Sequence, residues 1–142
     1  MPKADRVLVL KGARRLQLLY AGFPVREYQV SLGRNPVGPK QRIGDGRTPE
    51  GTYVLDWRNR HSAFHRSIHV SYPSPRDARA SQDAGVHAGG LIMLHGLPNG
   101  EGWIGEEHLG FDWTDGCIAV TNEEMDEIWE LVDDGTPIEI RP

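Results

Sequence analysis

Apolar positions come first in short runs and only late in the chain at helical spacing. "RVLVL" (6–10), "RLQLLY" (15–20) and "VREYQVSLG" (25–33) are rich in Val, Leu and Tyr. "KGAR" and "AGFP" separate them with turn chemistry, so the pattern predicts a meander of antiparallel strands. Glycine and proline then crowd "GRNPVGPKQRIGDGRTPEG", Gly33 to Gly51, which reads as a long loop lying over a sheet. "TYVLDW" and "SIHVSYP" follow as strands, with Pro73 ending the second or marking an edge. The polar stretch "SPRDARASQDAGVHAGG" is expected as a loop, and the continuous apolar run in "LIMLHG" as a buried strand. In "VTNEEMDEIWELVDDG", Met125, Ile128, Trp129 and Val132 form one helical stripe. Thr121 and Glu124 fit a capping box, acidic residues fill the first turn, and Gly135 stops the helix. "TPIEI" closes the chain as a strand. The sum is a mainly β domain with one late helix, a sandwich or a partly open barrel.

Composition narrows the function classes. With 142 residues the chain is long enough for one domain, 1–142, with a real core. The formal net charge of -4 argues against a nucleic-acid partner. One cysteine excludes an internal disulfide, so stability must come from packing. No apolar stretch approaches a membrane helix, so no transmembrane segment is expected in this chain. The opening "MPKADRVLVLKG" has four consecutive apolar residues, too few for a signal core. The expectation is a protein that stays inside the cell, or one whose targeting segment is absent from this chain.

The lone cysteine carries the candidate chemistry. Cys117 follows a tight Asp-Gly turn and precedes the apolar "IAV". Such a turn lets the backbone N–H groups of Gly116 and Cys117 point the same way, as in an oxyanion hole. Partial positive charge there would lower the thiol pKa. The alternative is a buried cysteine acting as a small hydrophobe. Of the six histidines, His95 stands out because it ends a buried run and precedes Gly96. It is either a satisfied structural side chain or the base that takes the thiol proton and returns it to a leaving amine. His61, His65 and His69 stand four apart, which on a helix would suggest zinc, but "SIHVSY" reads as a strand and breaks that geometry. No metal or cofactor is expected.

"IMLHGLPNG" with "DWTDGCIAV" resembles the catalytic domain of the L,D-transpeptidases, the YkuD family. The family pattern is a His-Gly at a strand end, then Ser/Thr-x-Gly-Cys and an apolar residue, matched by His95-Gly96 and Thr114-Asp115-Gly116-Cys117-Ile118. "GDGRTPEGTYVL" resembles the family's upstream Thr-Pro-x-Gly stretch. The resemblance implies a β-sandwich with a cleft at one end, Cys117 as nucleophile and His95 as general base and acid. It also implies that a backbone carbonyl orients the histidine, and that Gly116 and Cys117 form the oxyanion hole. Gly96, Trp113, Thr114 and Asp115 are expected at the substrate cleft. The implied substrate is the stem peptide of peptidoglycan, acylating the thiol and then passing to an amine acceptor, in the cell envelope or periplasm. Asp115 stands where many members carry histidine, and "IAVTN" where many carry an arginine or asparagine soon after the cysteine. The stretch between His95 and Cys117 is expected as a flap or wall on the acceptor side. Two further readings remain: a carboxypeptidase or amidase using the same pair with water, and a non-catalytic wall-binding module.

Overall fold

Every second residue of the first two strands is buried, as a half-covered sheet requires. In β1 (Arg6–Leu10) these are Val7 and Val9, and in β2 (Arg15–Tyr20) Leu16 and Leu18. The computed structural model describes residues 2–142. β3 (Phe23–Gln29) completes the antiparallel meander. It is followed by β4 (Gly51–Ser62), β5 (His65–Val70), β6 (Met93–His95), β7 (Ile118–Ala119) and β8 (Thr136–Arg141). All eight belong to one sheet in the order β3-β2-β1-β8-β4-β5-β6-β7. The last strand in sequence therefore sits centrally, parallel to β1 and antiparallel to β4.

The sheet curls until its two ends meet. Beyond β3, Ser31 exchanges both backbone hydrogen bonds with Ala119 of β7, at 3.0 and 2.9 Å. Gly33 forms a second bridge with Thr114. The mainly β class is as expected, built as one curled sheet. Leu16, Leu18, Leu32, Leu55, Ile68 and Ile118 fill its interior. Met125 and Ile128 of helix α2 (Asn122–Leu131) join that core. The expected capping box holds in both directions: the Thr121 side chain accepts from Glu124 N–H, and Glu124 accepts from Thr121 N–H.

Two expectations are corrected. The polar stretch 74–90 is not all loop, because Pro75–Asp83 forms a helix, α1. Ser74 and Asp77 make a capping box and Pro75 occupies the first turn, so the start is fixed without an apolar stripe. Ser81 is its one buried residue, which is why periodicity misses it. Residues Gly102–Gly110 also form two short 3₁₀ turns, kinked at Gly105 where φ is 56°. The strand expected over 52–57 runs on to Ser62 and turns into β5 as a long hairpin. His61, His65 and His69 lie on this hairpin, not on a helix. His65 bonds Asp126 and His69 bonds Asp56, each at 2.7 Å. No helix among the described residues is long and apolar enough to cross a membrane.

Candidate active site

β6 and β7 run parallel, with Leu94 opposite Ile118 and His95 opposite Ala119. Extending this register by one residue sets Cys117 opposite Met93. Residues two apart share a face, so Cys117 and His95 project from the same side of neighbouring strands, with Cα atoms about 8 Å apart. Leu94 and Ile118 point the other way, into the core. The apolar run before His95 and the one after Cys117 thus do the same work: each anchors a strand whose alternate positions carry reactive groups.

His95 is 2% exposed. Phe64, from the turn of the β4–β5 hairpin, stacks on its ring at 4.4 Å, and the Trp113 ring lies 5.9 Å away. Nδ1 donates to the carbonyl of Gly96 at 2.6 Å. That bond places the proton on Nδ1 and leaves Nε2 with a free lone pair. Burial pulls the imidazole pKa down to about 4, with the Gly96 carbonyl opposing the shift and His108 adding to it. The ring is therefore a neutral base at pH 7.

The thiol contradicts one expectation. Burial pushes the Cys117 pKa up, and the Asp115 carboxylate adds to this against the Met93 N–H and Lys40. Desolvation outweighs the Met93 N–H and the Lys40 charge, both of which favour the thiolate. Sγ accepts from Met93 N–H at 3.4 Å and donates to the Leu91 carbonyl at 3.5 Å. The resting pair is thiol and imidazole, both neutral, rather than thiolate and imidazolium.

The turn itself is held by its own side chains. The Thr114 hydroxyl donates to the Cys117 carbonyl at 2.8 Å and accepts from Gly116 N–H at 3.1 Å. Gly116 N–H, expected as one arm of an oxyanion hole, is thus already committed. Thr114 is buried as a brace of the turn and does not open onto a cleft. Asp115 points outward and pairs with Arg34. Gly96 is packed against Asn122, His65 and Phe64. Gly116 has φ of 135°, and a Cβ on it would fall 2.7 Å from the Arg47 carbonyl. The glycine-rich loop therefore lies directly against the turn that carries Cys117. Thr48, fully buried, accepts from Gly33 N–H at 3.0 Å and offers its carbonyl to Lys11 Nζ at 2.7 Å.

The description YkuD, L,D-transpeptidase catalytic domain, matches residues 4–140. The chain belongs to the L,D-transpeptidase family. It is 30% identical over 135 residues to YafK of Escherichia coli K12, a candidate L,D-transpeptidase, covering 92% of this chain and 44% of that protein. The chain thus spans less than half the length of that relative. Among solved structures, the helical cell shape determining protein Pgp2 of Campylobacter jejuni superposes with a TM-score of 0.73 at 24% identity, over 98% of this chain and 48% of Pgp2. L,D-transpeptidase 1 of Mycobacterium tuberculosis gives 0.60 at 16% identity, over 99% and 62%. These two likenesses are of fold.

In this family member the segment after His95 walls a groove of about 430 Å³ lined by Leu97, Trp103, Ile104, His108, Phe111 and Trp113. Trp113 belongs to both the groove and the surroundings of His95. Its Nε1 donates to His108 Nδ1 at 3.2 Å. Trp103 and Phe111 stand 80% and 69% exposed, too open to be packing the loop. Phe64 and His108 are site neighbours that sequence reasoning missed. Neither belongs to a motif, and only the fold of the hairpin and the 3₁₀ turns brings them in.

Proposed function

We propose that the chain is the catalytic domain, residues 1–142, of a cysteine acyl-transferase acting on peptidoglycan stem peptides in the cell envelope, in the periplasm. The observation that carries this reading is the single orientation of His95. With Nδ1 committed to the Gly96 carbonyl, Nε2 keeps its lone pair and can act only as a proton acceptor at neutral pH, on a residue that the strand register sets on the same face as Cys117.

The steps follow from two neutral partners. Sγ leaves its contact with the Leu91 carbonyl and attacks the peptide carbonyl between an L-centre and a D-amino acid. His95 Nε2 takes the thiol proton as the C–S bond forms, so no thiolate need accumulate beforehand. The C–N bond then breaks, and Nε2 hands its proton to the leaving amine. The acyl group remains on Cys117 as a thioester. An acceptor amine attacks that thioester, its proton passes to Nε2, and the proton returns to Sγ as the new amide leaves. The developing oxyanion falls to the Cys117 N–H, since Gly116 N–H is held by Thr114. The groove beyond Trp113 offers an apolar wall on the acceptor side.

Mass spectrometry of the protein incubated with purified muropeptides tests this. The intact mass is expected to rise by one acyl group located on Cys117, with release of a D-amino acid. Cys117→Ala should give neither product. Adding an amine should yield the transfer product; release of free acid alone would assign hydrolysis to the same pair. Turnover by Cys117→Ala at the wild-type rate would remove the mechanism.

A further inference from the structure

The first residue of α2 carries a side chain that none of the acyl-transfer steps uses. Asn122 Oδ1 accepts from the N–H of Leu97 at 2.9 Å. The carbonyl of that same peptide group belongs to Gly96 and accepts from His95 Nδ1 at 2.6 Å. One planar amide therefore joins the two side chains, with Asn122 at its N–H end and His95 at its C=O end. Hydrogen bonding at the N–H end polarises the carbonyl at the other, which strengthens its hold on the imidazole.

The surroundings are fitted to this amide. A Cβ on Gly96 would fall 2.6 Å from Asn122 Oδ1, and a Cβ on Gly102 would fall 2.4 Å from Nδ2. The carboxamide is thus seated between two glycines, one beside the base and one opening the groove segment. The side chain is not needed to start the helix, because Thr121 is the N-cap and makes the capping box. That box instead fixes the backbone from which Asn122 reaches out.

We propose that Asn122 is a positioning residue for His95, acting through the Gly96–Leu97 peptide to hold the imidazole in its Nδ1–H tautomer and in line with Cys117. The inference rests on the assignment of His95 as the base. It gives the Cys-His pair a third member linked by a peptide bond instead of a direct side-chain contact. Other groups around the imidazole are Cys117 across the strand pair, His108 behind Trp113, and His65, which is paired to Asp126 of α2.

Ring-nitrogen NMR on the folded protein tests the proposal alongside kinetics. In the wild type, His95 is expected as the Nδ1–H tautomer. Asn122→Ala should mix the tautomers and lower turnover by about one to two orders of magnitude, the usual cost of losing a partner behind a functional histidine. Asn122→Asp keeps the acceptor, adds a charge, and sits well at a helix N-terminus. It should retain the tautomer and move the His95 titration, and with it the acid limb of kcat/KM, upward by about one pH unit. A simple loop staple would move melting temperature in both variants but leave the His95 tautomer of Asn122→Ala unchanged, and that result would overturn the inference. Should Asn122→Ala not fold, Asn122→Leu, which fills the same space without an acceptor, decides through the same tautomer readout. A failure of the underlying reading looks different: His95→Asn would then keep wild-type turnover, whatever the ring-nitrogen spectra show.

Discussion

Acidification should destabilise the fold through one buried ring. His95 is 2% exposed and its pKa is drawn down to about 4, while in the unfolded chain it returns to about 6.5. Above pH 6.5 both states hold a neutral imidazole, and the folded state keeps its full advantage. Between 6.5 and 4 the unfolded chain takes up a proton that the native ring refuses, so stability falls as pH falls. Below about 4 both states are protonated and the loss levels off. The gap of about 2.5 pH units corresponds to about 3 kcal/mol. That is a large part of the 5–15 kcal/mol that holds a typical domain. Urea unfolding at intervals from pH 7.5 to 3.5, on the wild type and on His95→Asn, isolates this contribution. The depressed pKa values of Asp45, Glu139 and His108 act in both proteins and cancel in the difference. The wild type should lose about 3 kcal/mol more than the variant across that window, whatever their separation at pH 7. Parallel curves would show that the ring is not held neutral by burial.

Thr48→Ala removes the acceptor of a buried Gly33 N–H and should cost about 1–3 kcal/mol, read as a lower Tm with turnover little changed. A large fall in turnover at an unchanged Tm would make the glycine-rich loop catalytic instead of supporting. Alkylation of Cys117 by iodoacetamide at pH 7 should be slower than that of a free thiol and rise steeply toward alkaline pH, because burial raises the thiol pKa. Asp115→Asn should speed it at pH 7–8; an unchanged rate would remove the carboxylate from the list of causes.

Where burial and periodicity coincide, the elements were readable from the chain. Val7, Val9, Leu16 and Leu18 mark strands because the sheet covers one face only. Met125 and Ile128 mark α2 because the core receives one face of it. α1 lay beyond that signal, since Ser81 alone is buried and its caps hold it instead. At the site, Cys117 and His95 could be found because each adjoins an apolar strand run. Their protonation states could not, because desolvation depends on how the fold covers them, as where the hairpin turn brings Phe64 and the turn segment brings Trp113 against His95. The same holds for Asn122 and for the Thr114 hydroxyl that occupies Gly116 N–H. Thr114 belongs to the motif and Asn122 lies just beyond it, but the bonds of both appear only in three dimensions.

The seam at Ser31 and Ala119 makes the thiol answerable to the far end of the chain. β7 is two residues long and is held by β6 on one side and by the segment after β3 on the other. So short a strand has no persistence of its own. Its geometry exists only once the N-terminal meander has been laid down and the curl has shut, a closure between distant parts of the sequence that chain entropy opposes. A slipped register in β2–β3 would leave the cysteine chemically intact yet out of place. Cys117 thus stands as an inspection mark for the whole sheet: its setting beside β6 is complete only when the last edge of the sheet finds its partner.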